Sequence, residues 1–347
     1  MPQKLRNSPP VRETGRDPSW DNLRFVAGAL VVLLHVAGPV HDRLDALRWL
    51  YVATWPLRVP MFAILAGYFS SAAPLTVPRC RRLAGVILLP YLAVLLLGHV
   101  QIWAMSAREW PGTVHGASLT MWFLLALLIW RLALPVLARL RHPLVVSVGV
   151  AALAGYAPFV GRDVLELSRT LCFLPFFLLG WKLRDGGLLT SLRARLSRPA
   201  AWTVLVVALA AAWPLRDHVD RSWLNMPGPY AEMGEPLPGP WAWAAVRVAI
   251  LLCGMAVALS VIRLAPRGRL PFLTYLGSGG LYIYVLHPLV LRPVHASEAV
   301  LRVDTWTDQA ALVILCVLAA ATLASPPVRA LARPLVQPGR GTGPMTR

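Results

Sequence analysis

Asp21-Asn22-Leu23-Arg24-Phe25-Val26-Ala27-Gly28-Ala29-Leu30-Val31-Val32-Leu33-Leu34-His35 is an apolar helix-length run interrupted by four kinds of polar side chain. A helix turns about 100° and rises about 1.5 Å per residue. Eleven steps therefore bring His35 to within about 20° of the Arg24 face, about 16 Å further along the axis. Asp21, Arg24 and His35 share that face. Cations and imidazoles inside an apolar span carry a solvation cost and are rare there without a function.

Similar runs recur along all 347 residues, of which 57% are hydrophobic and 14% charged. This composition predicts an all-α, polytopic membrane bundle. Ten spans are expected, from Asp21 to Val40, Tyr51 to Phe69, Leu83 to Trp103, Leu119 to Leu137, and Leu144 to Val160. The rest run from Thr170 to Leu183, Ala200 to Trp213, Trp241 to Ile262, Pro271 to Leu291, and Ala310 to Ala324. The transmembrane domain thus covers 19–325, between a mobile polar tail at 1–18 and a second tail at 326–347. Arg24 and His35 in the first run, and the many runs after it, argue against a cleaved signal peptide. No repeat of 20 to 50 residues is visible.

A formal charge of +18 and a pI near 11.1 would suggest a nucleic-acid partner for a soluble chain. Here the charges are sorted by side. With both termini cytoplasmic, the inner segments carry more than twice as many Lys and Arg as the outer ones, and most acidic residues fall outside. The basic excess therefore reports topology, and no nucleic acid is expected. The only lysines are Lys4 and Lys182, in a chain rich in Ala, Pro and Gly. That bias fits a bacterial source and a multi-pass protein of the cytoplasmic membrane. Cys80, Cys172, Cys253 and Cys316 are dispersed, which suits neither a disulfide framework nor a zinc site.

On this topology His35, His99 and His287 lie at similar depth, nearer the outer face. A buried neutral imidazole can accept a proton, which makes His35 competent as a base. An interhelical hydrogen bond is the plainer reading of His99. No span carries a carboxylate at that level, and no metal is expected. On the inner side, Arg79 and Arg82 stand three residues apart in Pro78-Arg79-Cys80-Arg81-Arg82-Leu83. With Arg24 they can clamp a phosphate, although a basic flank is common beside any span. Arg58 lies between Pro56 and Pro60, where it can satisfy a freed carbonyl or meet a substrate. Glycines in Gly277-Ser278-Gly279-Gly280 permit close helix approach or a broken helix ahead of His287-Pro288. The long outer loop from Leu215 to Pro240 contains Trp223, Tyr230, Glu232 and Glu235, a set that suits an aromatic belt or a glycan contact.

In their order along the chain these residues resemble the acyltransferase 3 family of integral membrane acyltransferases, especially its fucose 4-O-acetylase-like branch. Arg24, ten residues and His35 are similar to that family's first-helix motif. Val59-Pro60-Met61-Phe62 through Ala66-Gly67-Tyr68-Phe69 resembles its second-helix signature. Arg79 and Arg82, then Pro90-Tyr91, resemble its basic entry to the third helix. Trp122-Phe123-Leu124, Pro175-Phe176-Phe177-Leu178-Leu179-Gly180 and Leu281-Tyr282-Ile283-Tyr284 to His287 follow in the family's order. The chain departs from the pattern at Ala66, where Ser is usual, at Arg58, where His is common, and at Gly279-Gly280, where Asn-Ser is usual. No family role is carried over to those positions.

The resemblance implies transfer of an acyl group, commonly acetyl, from cytoplasmic acyl-CoA to a hydroxyl of a carbohydrate, glycolipid or secondary-metabolite acceptor. Acyl-CoA is then a substrate, and no tightly bound cofactor is implied. Arg24, Arg79 and Arg82 are expected to hold its phosphates. His35 would act as general base or carry the acyl group briefly, with Asp21 orienting Arg24 and His287 helping to activate the acceptor. Arg58, His99, Trp122, Ser278 and Tyr282 are candidate acceptor contacts. The alternative is a transporter exporting a sugar, lipid or small metabolite, since charged residues and interrupted helices occur there too. A non-catalytic scaffold leaves the Arg24 and His35 pair without purpose.

Overall fold

The computed structural model describes residues 17–105, 121–157, 166–233 and 238–337, and these are helical with no strand among them. Residues 1–16 of the expected N-terminal tail, the outer residue Glu235, the start of the expected fourth span and the end of the fifth lie outside the described residues. Helix α1 spans Ser19–Val36, α2 Asp45–Ala53, α3 Val59–Tyr68, α4 Val77–Leu83 and α5 Leu89–Met105. Then follow α6 at Trp122–Leu137, α7 at Pro143–Ala154, α8 at Leu167–Asp185, α9 at Leu188–Arg195 and α10 at Arg198–Leu215. The rest are α11 at Arg221–Asn225, α12 at Pro240–Leu264, α13 at Pro271–Gly277, α14 at Gly280–Ala296, α15 at Trp306–Leu323 and α16 at Pro326–Val336.

Helix ends follow from local chemistry. Thr305 and Asp308 form a reciprocal capping box at the start of α15, and Ser197 caps α10 ahead of Pro199. Between α2 and α3 the chain bends by 56°. Pro56 and Pro60 bracket the bend and remove the amide donors a continuous helix needs. Arg58 sits in the break with φ −94° and ψ −115°.

Against ten expected spans, five helices among the described residues have the length and apolar character to cross a membrane, and the bent pair would make six. The expected second span is two helices, and the ninth is broken between α13 and α14. The expected sixth, Thr170 to Leu183, is the middle of α8, which carries Arg169, Lys182, Arg184 and Asp185 near its ends and is mostly buried. Helices α6 and α7 are apolar but shorter.

Burial sorts core helices from lipid-facing ones. Helix α1 is 78% buried, whereas only 11% of α10 is. Helix α1 is therefore the axis of the bundle, packed by α3 on one side and α13, α14 and α15 on the other. The close fit relies on small residues. A Cβ built on Gly277 would lie 1.8 Å from the Asp21 carbonyl oxygen, so only glycine lets α13 approach α1 there. Helices α3 and α8 meet through a reciprocal pair, Gly67 against the Phe177 carbonyl and Gly180 against the Ile64 carbonyl. Next to that crossing, the rings of Phe62, Phe123 and Tyr284 pack with centroids 5.5 to 6.3 Å apart.

Residues assigned to the C-terminal tail include α16, whose Val336 is fully buried. Arg329 from this helix donates to the Ser278 hydroxyl at 2.6 Å and lies over the Tyr275 ring. These contacts tie α16 to the break between α13 and α14.

Candidate active site

The two polar ends of α1 open onto two different cavities. At the Arg24 end, a cleft of about 1030 Å³ is lined by Phe69, Ser71, Arg79, Arg81, Arg82 and Arg131, with Leu281 and Gln337 on its far walls. Arg24 stands at its edge, with its guanidinium 4.5 Å from the Phe69 ring centre and bonded to the Asp21 carboxylate at 2.6 Å. Arg79 donates to the carbonyls of Ser71 and Ala73 and so fixes the turn before α4. Arg131 donates from Nε to the Ser70 hydroxyl at 3.2 Å. Four guanidiniums line the opening and Arg24 stands beside Phe69 at its edge, and forked donors of this kind suit phosphate oxygens.

At the other end of α1, a cavity of about 240 Å³ is bounded by His35, Tyr51, Trp55, Arg58, Trp122 and Tyr284, among others. His35 Nδ1 lies 2.7 Å from the Val31 carbonyl oxygen one turn back. That bond places the ring proton on Nδ1 and leaves the Nε2 lone pair for the cavity. His287 is built the same way, with Nδ1 2.6 Å from the Tyr284 carbonyl oxygen. The two imidazoles meet edge to face, 5.1 Å between centroids. His287 is 1% exposed, and its Nε2 has no hydrogen-bond partner among the described residues. Pro288 follows it inside α14.

Tyr51 organises the wall opposite His35. Its ring is stacked on His41 at 4.8 Å and carries the Arg58 guanidinium at 4.2 Å on its face. Its hydroxyl reaches Asn225 Oδ1 at 3.0 Å. Trp55 Nε1 donates to the Leu224 carbonyl and Arg169 Nε to the Asn225 carbonyl, so α11 is bonded down as a roof. Arg169 is itself neutralised by Glu166 at 3.1 Å. Beyond the roof a polar vestibule of about 310 Å³ shares His41, Tyr51 and Arg221 with the cavity.

The sequence-derived candidates therefore divide into groups. Arg24, Arg79 and Arg82 surround the cleft, joined by Arg81 and Arg131. His35, Arg58 and Trp122 line the cavity, and His287 backs onto His35. Asp21 pairs with Arg24 and lies fourteen residues from His35, about 21 Å along α1, so it belongs to the cleft end. His99 bonds the Leu95 carbonyl at 2.8 Å within α5 and does not line the cavity. Tyr282 is buried without lining it. Ser278 is held by Arg329 and the Tyr275 carbonyl at the α13–α14 break. Trp223 stacks on Trp243 at 5.4 Å in a small aromatic cluster with Tyr230, so that loop uses these rings for packing. Among the described residues no three His, Cys, Asp or Glu side chains converge as metal ligands.

Several lining residues escaped the sequence reading. Arg131 sits inside α6, six residues before its end at Leu137, an arginine within an apolar run that the sequence reading passed over. Tyr51 and Asn225 are 174 positions apart and carry no local motif that joins them.

Fold and site together define an all-α membrane protein in which one central helix links a basic cleft to an imidazole-bearing cavity. An acyltransferase-domain family matches residues 17–325, and the chain belongs to this acyltransferase 3 family. No curated protein matches the chain. No solved structure matches it either. The protein is thus a membrane acyltransferase by family, and the transporter alternative has no comparable support.

Proposed function

We propose that the protein transfers an acyl group, commonly acetyl, from cytoplasmic acyl-CoA to a hydroxyl of a carbohydrate-type acceptor. The observation that carries this reading is the placement of a cleft lined by four arginines, with Arg24 at its edge, and a base-ready imidazole at opposite ends of α1. Acyl-CoA docks with its phosphates among Arg24, Arg79, Arg81, Arg82 and Arg131. Its pantetheine arm runs along α1, whose rise of about 16 Å from Arg24 to His35 suits the reach required. Leu281 lines the cleft and Tyr284 the cavity, three residues apart on α14. The Phe123 and Tyr284 rings line the cavity and pack with Phe62, an apolar surface along which the arm would pass.

In the cavity, His35 Nε2 takes the proton of the acceptor hydroxyl as its oxygen attacks the thioester carbonyl. A C–O bond forms, the C–S bond breaks, and the proton passes to the departing sulfur, giving an acyl ester and free CoA thiol. In the alternative order, His35 Nε2 attacks the thioester carbonyl, the C–S bond breaks and CoA leaves as thiolate; the acyl group then passes from Nε2 to the acceptor oxygen, whose proton ends on the CoA sulfur. His287 braces the His35 ring in both. The positive-inside pattern puts the cleft on the cytoplasmic side of a bacterial inner membrane, which brings the acceptor through the vestibule from the other side.

Purified protein given acetyl-CoA and an extract containing the acceptor should release CoA thiol without any ion gradient. Arg82→Gln removes one charged donor, worth about 1.5 kcal/mol, and should raise KM for acetyl-CoA about 10-fold with kcat little changed. Arg82 is the cleaner choice because Arg79 also holds the 71–74 turn. Absence of thiol release under all acceptor fractions would refute the assignment.

A further inference from the structure

Arg58 is 7% exposed and lines the cavity with His35. Its Nη2 donates to the Tyr51 carbonyl at 2.7 Å, and its Nε is buried with no partner. No carboxylate pairs with it among the described residues. Other arginines nearby are neutralised: Arg169 by Glu166, Arg221 by Asp42 at 3.1 Å, and Arg48 by Asp217 at 2.5 Å. The residues that line the cavity include no Asp or Glu. Removing a guanidinium from water costs several kcal/mol, which one neutral carbonyl and one ring face do not repay.

Arg247 provides the contrast. It too is buried without a carboxylate and has an unpartnered Nε, but it lines none of these cavities and spends Nη1 on the Ala151 carbonyl and Nη2 on the Met233 sulfur. It is enclosed by packing. Arg58 instead leaves donor capacity facing a space large enough for part of a ligand, reached through the polar vestibule.

We infer that the acceptor is anionic, and that Arg58 receives its carboxylate or phosphate group beside His35. This rests on taking the cavity as the acceptor site. It adds the charge class of the acceptor and assigns Arg58 as the residue that selects it. The anion completes the ion pair that the fold leaves open, and holds the neighbouring hydroxyl toward Nε2. Docking then aligns the acceptor before the thioester arrives. An uncharged sugar would leave the buried guanidinium unpaired and bind far more weakly.

The test needs no acyl donor. Full-length protein in detergent is treated with diethyl pyrocarbonate, which acylates open neutral imidazoles, and modification of the His35 peptide is followed by mass spectrometry. Glucuronate, glucose 1-phosphate and glucose serve as probes. Protection of His35 by glucuronate or glucose 1-phosphate, at concentrations where glucose gives none, is the expected result. The better of the two anions identifies carboxylate or phosphate as the recognised group. In Arg58→Gln the half-protecting concentration should rise about 30-fold or more, the loss expected for breaking a buried charge pair. Arg58→Lys keeps the charge and should retain the preference for anions. Equal protection by glucose, no protection by either anion, or unchanged protection in Arg58→Gln would overturn the proposal. Because no acyl-CoA is present, these outcomes are separate from the thiol-release test of acyl transfer.

Discussion

His35→Ala is expected to lower the acyl-transfer rate by about 10² to 10⁴-fold, the range contributed by a positioned base. The loss should appear in kcat. The cleft proposed for the donor lies a helix length away, so KM for acyl-CoA should stay close to that of the unaltered protein. His35→Gln tests the same point with a side chain of similar size that cannot accept the proton. Both variants should elute as folded protein, since the ring's intramolecular bonds are one hydrogen bond to Val31 and the contact with His287. Transfer at the original rate in either variant would remove His35 from the chemistry, whichever of direct transfer or acyl relay applies.

The largest effect on folding is expected at Gly67→Ala. A Cβ there would fall 1.8 Å from the Phe177 carbonyl oxygen, and the matching Cβ on Gly180 would fall 1.9 Å from the Ile64 carbonyl oxygen. Both obstacles are helix backbone, which cannot rotate aside. Helices α3 and α8 would have to separate, undoing the contacts of Ile64, Phe176 and Phe177, all fully buried. Overpacking usually costs about 1 to 3 kcal/mol and more where the backbone must move. The variant should lose about 3 kcal/mol or more, read as a large fall in melting temperature in detergent. An alanine variant with unchanged melting would show that the crossing is looser than described.

What the sequence made legible was mostly what one helix can encode. Arg24 and His35 were related by helical spacing alone, and α1 covers most of the expected Asp21 to Val40 run but ends at Val36, four residues early. Pro56 and Pro60 pointed to a carbonyl that Arg58 could satisfy, and the guanidinium does satisfy one, that of Tyr51, but the break itself was not expected in a run taken as one span. The apolar runs announced a helical membrane bundle. Their number was less legible, because hydropathy does not show where prolines and glycines split a run, as between α2 and α3 or α13 and α14. Nor does it show which runs are buried: α8 is enclosed by its neighbours despite charged ends.

The candidate site was legible where residues share a helix and obscure where helices meet. His35 and His287 are 252 positions apart, and only tertiary packing sets their rings 5.1 Å from each other. Equal depth alone did not bring His99 to the cavity, since rotation about the α5 axis is set by its neighbours. Ser278 was singled out for its glycine-rich surroundings, which serve close packing of α13 against α1. The Tyr51 platform, formed from α2 and α11, had no local signal at all.

In the proposed function donor and chemistry occupy opposite ends of α1, with donor entry at the arginine cleft. The direct measurement is thiol release in sealed proteoliposomes given acetyl-CoA on one face only, with the acceptor fraction present on both. Orientation is read on a parallel sample from labelling of Cys80, the half-buried free cysteine on α4 beside the cleft, by an impermeant maleimide. Thiol should accumulate only where acetyl-CoA meets the α4 face. Equal release from the opposite face would contradict the account.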